Sequence, residues 1–313
     1  MTDLPHLPPI PSPDITLRQL ECFVAVAEDS TITGAAARIH SSGSAVSDAV
    51  TALERALGVP VMVRRRSQGI TLTSTGRSLL PLAREVLAGA HELELVARGD
   101  EGRVAPVRIG SFHTIAPTFV PPIIRRFMAR HPEAEISYIV GEQDVLAQQL
   151  KSGDLDIAIV YELDFPLEFE RVRLVRSLPV VLLPESHRFA NRASVQLQEL
   201  GNEPFVLNDI APSRQYALDI LNDAGVHPPH VHASANYDLC RSLVGEGIGW
   251  TILMDRRFSP STWSGKTLVE IPIEPAPQPL GIVAASRAEA HPPRVADLIQ
   301  VAKEASQELM GTV

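Results

Sequence analysis

The chain has 313 residues, 45% of them hydrophobic, and a formal net charge of −9. That length allows two or three globular domains, and no apolar run approaches the roughly 20 residues of a membrane span. Two cysteines, Cys22 and Cys240, are too few for a disulfide framework or a cysteine zinc site. Both are expected to be buried free thiols, with no metal and no cofactor.

Residues 1–15 carry five prolines and lack a basic-then-apolar secretion signal. They read as an extended, disordered tail, and the protein is expected to be cytoplasmic, with no membrane partner. Residues 16–28, TLRQLECFVAVAE, place Leu17, Leu20, Phe23, Val24 and Ala27 on one helical face. DSTIT then offers side-chain oxygens to cap a next helix, GAAARIH, whose alanines let another helix approach closely. SSGS is a turn before AVSDAVTALERALG, a helix with Val46, Val50, Leu53 and Leu57 at helical spacing. Residues 59–73 read as two short strands around the basic loop RRRSQG. Three helices followed by a hairpin, over residues 16–73, make a winged helix-turn-helix. From Thr16 to Arg84 the chain holds eight Arg and no Lys against five acids, a charge of +3. A basic head on an acidic body suits double-stranded DNA bound by the head alone.

Residues 74–98 form a longer helix with Leu79, Leu82, Val86, Gly89, Leu93 and Val96 at alternating spacings of three and four. Such a heptad seam pairs helices between chains, so a homodimer or homotetramer is expected. Residues 99–106 read as a hinge. From Val107 short apolar strands alternate with amphipathic helices, the pattern of a parallel α/β sheet. The alternation recurs to the closing helix, with lobe 1 expected over about 107–165 and 278–313 and lobe 2 over about 166–277.

The stretches LRQLECFVAVAE, TGAAARIHSSGSAVSDAVTALERALGVPV, VRRRSQGITLTSTGR, VRIGSFHTIAPTFVPPIIRRF, LKSGDLDIAIV and LVGEGIGWTIL resemble the LysR-type transcriptional regulators. The resemblance covers roughly residues 16–305. It implies an α/β protein: a winged helix-turn-helix and linker helix, then a two-lobed, periplasmic-binding-protein-like effector domain. It also implies a tetramer that activates or represses a nearby operon. The chain departs from the family in the recognition helix. Gly43 stands where Gln is common, and Asp48 where a basic residue is frequent. Glycine offers only its backbone to DNA, and Asp48 repels phosphate or accepts from a cytosine amino group.

The expected DNA contacts are Arg38, Ser42, Gly43, Ser44, Ser47, Asp48, Thr51 and the wing residues Arg64, Arg65 and Arg66. Hydroxyls and N–H groups at a helix start suit phosphate oxygens, and guanidinium groups suit the backbone or minor groove. Ser42 and Ser44 equally suit capping. The expected effector site comprises Ser111, His113, Thr114, Asn208, Ser213, Arg214, Asn236, Tyr237 and Gly247, at strand and helix ends. Ligands of open α/β sheets bind at such carboxyl ends of strands, and a helix N-terminus there favours an anion. A polar or anionic metabolite is the expected effector. Arg214 suits either a ligand carboxylate or a salt bridge to a nearby acid such as Asp209. The run Gly245–Gly249 suits either the cleft or a tight helix-to-strand turn. No metalloprotease, nucleophile-elbow or P-loop motif is present, so no enzyme is expected. A solute-binding protein fits the body but not the fused head. A redox sensor would have only Cys240 in the body.

Overall fold

The computed structural model describes residues 13–65, 69–97, 106–253, 261–287 and 291–311. The chain folds as two compact units, one ending with the long fourth helix and one following it.

The first unit begins with α1 (Leu17–Asp29), whose N-terminus is closed by a reciprocal cap. Gln19 N–H donates to the Thr16 hydroxyl, and Thr16 N–H to the Gln19 side chain. Thr31 caps α2 (Ile32–Arg38), and Ser42 caps α3 (Gly43–Leu57). Ala35 and Ala36 are buried with Cys22, Ala25 and Val26 of α1 and with Val46 and Val50 of α3. Their small size permits the close helix approach expected of them. β1 (Met62–Arg65) and β2 (Gly69–Leu72) pair antiparallel from Met62–Leu72 to Arg65–Gly69. Glu54 of α3 accepts from the backbone N–H groups of Val61 and Met62 at 2.9 and 3.2 Å, fixing where the hairpin leaves the helix. The expected wing tip, Arg66 included, lies outside the described residues, as do the side chains of Arg64 and Arg65.

α4 (Ser74–Ala97) has two apolar faces. Leu80 and Ala83 are buried against Leu20, Phe23, Leu53 and Val61, with Leu79 and Leu87 packed beside them. Leu82, Val86 and Leu93 remain 57%, 49% and 71% exposed. Leu79 thus belongs to its own domain's core, and the outward seam is Leu82, Val86, Gly89 and Leu93. The side chain of Val96, the tail through residue 12 and all but the last residue of the expected hinge lie outside the described residues.

The second unit opens with β3 (Val107–Phe112), α5 (Ala116–Arg130), β4 (Ile136–Gly141), α6 (Gln143–Ser152), β5 (Ile157–Tyr161) and β6 (Glu170–Ser177). It continues through β7 (Val180–Pro184), a short 3-10 turn (Leu197–Leu200), β8 (Phe205–Asn208), α7 (Ser213–Asp223), β9 (Val231–Ser234) and α8 (Tyr237–Gly245). β10 (Thr251–Leu253), β11 (Leu268–Pro272), β12 (Leu280–Ser286) and α9 (Pro293–Gly311) complete it. One sheet runs β4-β3-β5-β12-β6. β3 is parallel to β4 and β5, whereas β12 is antiparallel to β5 and β6. In the other, β8 pairs parallel with β9, and β7 lies antiparallel between β10 and β11. A parallel bridge between Phe205 and Trp250 joins these two halves.

Two expectations change. The sheets are mixed, not parallel, because the returning strand β12 enters the first sheet antiparallel. The chain also leaves the first lobe after Ser177, not near residue 165, because β6 is hydrogen-bonded to β12. β6 reads ERVRLVRS and forms the sheet's edge, so its charged alternation conceals a strand that belongs to lobe 1. The first lobe is centred on Ile109, Phe112, Ile123, Ile159 and Leu298, the second on Leu183, Phe205, Leu207, Trp250 and Ile252. Among the described residues no helix is long and apolar enough to cross a membrane.

Candidate functional site

In α3, Val46, Val50 and Leu53 face the core. Ser44, Ser47, Asp48 and Thr51 therefore share the opposite face, at spacings of three, four and seven residues. Ser44, Asp48 and Thr51 are exposed and Ser47 is half-buried. The Thr51 hydroxyl donates to the Ser47 carbonyl at 2.9 Å. Ser42 acts as the cap, its Oγ accepting from Ala45 N–H at 3.2 Å and lying 3.1 Å from Ser44 Oγ. Gly43 is half-buried in the first turn, and a Cβ there would meet only Ile32 at ordinary contact distance.

Arg38 also has partners within the head. Its guanidinium bonds Glu28, pairs with Asp29 at 3.1 Å and donates to the Ala25 carbonyl at 2.8 Å. All three partners lie on α1, so Arg38 staples α2 to α1 through three of its five N–H donors. Arg84 Nη2 pairs with the same Glu28 at 2.7 Å.

In the second unit a cavity of about 670 Å³ is lined by residues of both lobes. Lobe 1 contributes His113, Thr114 and Pro117. Lobe 2 contributes Asn208, Ile210, Ala235, Asn236, Tyr237, Asp238, Arg241 and Trp263. Five of the expected effector residues thus converge: His113, Thr114, Asn208, Asn236 and Tyr237. Thr114 Oγ1 lies 3.0 Å from the Tyr161 hydroxyl. Asn236 Oδ1 caps α8 by accepting from Leu239 N–H at 2.9 Å, so this residue both caps and lines. Asn208 is 5% exposed, and its Oδ1 is buried with no hydrogen-bond partner.

Four expected residues lie elsewhere. Ser111 is fully buried within β3, not in the cavity wall. Ser213 opens α7 but does not line the cavity, and Arg214 pairs with Asp209 at 3.0 Å. Gly247 serves the turn from α8 to β10, with φ +76°, a backbone that favours glycine. Gly249 in the same run packs on the Pro204 carbonyl, where an added Cβ would approach to 2.4 Å. The Gly245–Gly249 run is therefore a tight turn with close backbone contact.

Sequence reasoning missed Arg241 and Trp263. Arg241 sits one turn after Tyr237 on α8, a spacing of four that places both on one face. Its guanidinium lies 5.9 Å from the Tyr237 ring centroid and donates to the Ser261 carbonyl at 3.3 Å. Trp263 lies in a polar turn, where its 87% exposure could not be read from spacing.

α5 brings a second source of polarity to the cavity. Its N-cap is Ile115, which makes no side-chain cap, and Pro117 falls in its first turn. The helix start is left without a side-chain acceptor where the cavity begins, which favours negative charge. Neighbouring Cys240 points elsewhere: its Sγ lies 3.6 and 3.5 Å from the Leu207 and Ser234 carbonyls. Burial pushes this thiol up to about 11. Among the described residues no cluster of His, Cys, Asp or Glu is suited to hold a metal ion.

The pattern of the LysR substrate binding domain matches residues 100–307, and that of the bacterial regulatory helix-turn-helix protein, lysR family, matches residues 17–77. The chain belongs to the LysR family of transcriptional regulators. This LysR-type regulator is 30% identical over 249 residues to the uncharacterized HTH-type transcriptional regulator YvbU of Bacillus subtilis, covering 78% of this chain and 83% of the relative. It is 29% identical over 241 residues to the hydrogen peroxide-inducible genes activator of Escherichia coli O6:H1, covering 76% and 79% of the two chains. The crystal structure of HinK, a LysR family regulator from Pseudomonas aeruginosa, is similar with 33% identity and a TM-score of 0.63, covering 94% of this chain and 99% of that one. The chain is a transcriptional regulator with a DNA-binding helix-turn-helix and an effector-binding domain, and not an enzyme.

Proposed function

We propose that the chain acts in the cytoplasm as a homodimer or homotetramer whose DNA affinity is set by a small polar or anionic effector held between the lobes. The observation that carries this reading is the cavity lined from both lobes, with the nearly buried polar side chain of Asn208 among its lining residues. A ligand touching both lobes binds their closed form better, shifts the lobe angle and so re-spaces the heads of an oligomer. Full reversal of a two-state equilibrium needs about 5.5 kcal/mol of differential affinity. Two or three hydrogen bonds to charged groups, at about 1.5–3 kcal/mol each, reach that magnitude. The contacting groups are His113, Thr114, Asn208, Asn236, Tyr237 and Arg241, with the open start of α5.

On the DNA side, the α3 face of Ser44, Ser47, Asp48 and Thr51 enters the major groove, and Arg64, Arg65 and Arg66 of the wing take the phosphate backbone. Sequencing the DNA fragments retained by the full chain identifies an operator on which this is tested. Replacing Arg65 and Arg66 by Ala is expected to weaken binding to every sequence and to reduce the log–log salt slope by about 0.9 per lost phosphate contact. Unchanged affinity and slope would remove the wing from the interface.

A further inference from the structure

Among the described residues, the cavity wall holds one large aromatic side chain that is left mostly exposed. Trp263 is 87% exposed, yet it lines the cavity. Among the described residues its indole makes no hydrogen bond, ring contact or cation contact, and it belongs to none of the apolar clusters. The chain's other tryptophan behaves in the ordinary way, buried edge-on against Phe205 with centroids 4.8 Å apart. A large flat aromatic surface left in water beside a ligand-sized cavity finds its apolar partner in the occupant.

Two further features of the same wall restrict that occupant. Asn208 lines the cavity with Oδ1 buried, so the group its amide has left to offer an occupant is the Nδ2 donor, which an acceptor completes. The buried formal charge in the lining is the cation of Arg241, whereas Asp238 is exposed to water, which screens it. The open start of α5 adds positive potential of the same sign.

We propose that the effector is a planar aromatic acid, and that Trp263 selects it by covering the ring. Its carboxylate turns toward Arg241, the start of α5 and the Asn208 amide. This inference rests on the cleft reading above and adds the ligand's class and the residue that reads it.

The test titrates the full chain with 4-hydroxybenzoate, indole-3-acetate, trans-4-hydroxycyclohexanecarboxylate and benzylamine, by calorimetry and by tryptophan emission. The aromatic acids are expected to bind about two- to tenfold more tightly than the saturated acid. They also shift an emission that Trp263→Phe removes. Trp263→Ala abolishes the aromatic preference, and Trp263→Phe retains most of it. Equal affinity for the saturated and aromatic acids, or a preference that survives Trp263→Ala, overturns the ring inference and leaves the cleft reading standing. Preferred binding of benzylamine, or no binding by either aromatic acid, overturns the proposed class. Acids whose binding ignores both Trp263→Ala and Asn208→Leu occupy some other place, and that outcome overturns the cleft reading as well.

Discussion

Helices α1 to α3 of the head begin differently from α5 and α7 of the effector domain, although α8 at the cavity is capped by Asn236. Thr16, Thr31 and Ser42 each turn a hydroxyl back onto the first turn of the helix they precede. Ile115 and Pro212, before α5 and α7, make no such bond. A capped start satisfies its own N–H groups and contributes stability, typically about 1 kcal/mol per cap. An uncapped start keeps its potential for something else, but only where space adjoins it. α5 opens onto the cavity, whereas the first residues of α7 do not line it. The side-chain cap is therefore structural in the head, and its absence adjoins the cavity at α5 but not at α7. Local sequence sets the cap, and tertiary placement decides what the open end is for.

The two regions also differ in what they require of a second chain. In the reading proposed above, the DNA face is the outward side of α3 with the wing, and it gains affinity by being paired. The cavity is completed within one chain. Replacing Leu82 and Leu93 of the outward α4 seam by Glu tests this division. The expected result is a shift toward monomer in light scattering and a loss of affinity for a two-half-site operator. Linked binding raises avidity by about 10²–10⁴-fold, which sets the size of the loss. Effector affinity per chain should stay the same. A variant that remains dimeric would place the interface elsewhere, and one that loses effector binding would join the two regions that the comparison separates.

The head was the more legible region because its site is continuous in sequence. Residues 42–51 carry both the helix and its outward face, and Val46, Val50 and Leu53 fix the rotation. The contacts of Arg38 to Ala25, Glu28 and Asp29 were not legible, because those partners sit on another helix, beyond the reach of spacing arguments. The cavity draws on segments far apart in the chain, from His113 to Trp263. Strand-end reasoning selected His113, Thr114 and Asn208, which line one cavity, because ligands gather at such ends. It also selected Ser111, which lies inside β3, and Arg214, whose charge meets Asp209. Lobe boundaries failed at β6 for a related reason: the partner strand, β12, arrives about a hundred residues later.

A smaller effect sharpens the contrast between stability and function. Asn208 Oδ1 carries the desolvation cost of an unpartnered buried acceptor, about 1–3 kcal/mol for such a group. Replacing Asn208 by Leu, of similar size and apolar, removes that cost. The expected outcome is a chain stabilised by about 1 kcal/mol in denaturant titrations without ligand, and deaf to effector in DNA-binding assays. The head residues of α3 predict the reverse order, since Ser42→Ala removes a cap that already has its partner. An Asn208→Leu chain that is destabilised while still responding to effector would show that the amide serves packing alone.

The smallest expected effect is none at all, and it concerns Cys240. Similarity to a hydrogen peroxide-inducible activator raises the question of a thiol sensor. A reactive cysteine is one whose thiolate is populated and reachable. Cys240 is fully buried, and its pKa stands at about 11 against an ordinary 9.0, with burial the leading cause. The other thiol, Cys22, is buried too and is likewise pushed up by desolvation. The sign of the linkage follows directly. Below about pH 9 the Cys240 thiol is neutral in both folded and unfolded chains. Between pH 9 and 11 the unfolded chain loses this proton first, so stability falls as pH rises through that window. At neutral pH the folded thiol is therefore neither ionised nor accessible. Iodoacetamide should label Cys240 only as fast as the lobe opens, and Cys240→Ser should leave the response of DNA affinity to added peroxide unchanged. A wild-type chain whose DNA affinity changes with peroxide, beside a Cys240→Ser chain that stays constant, would make this thiol a sensor and move the regulatory input from the cavity to the core behind α8.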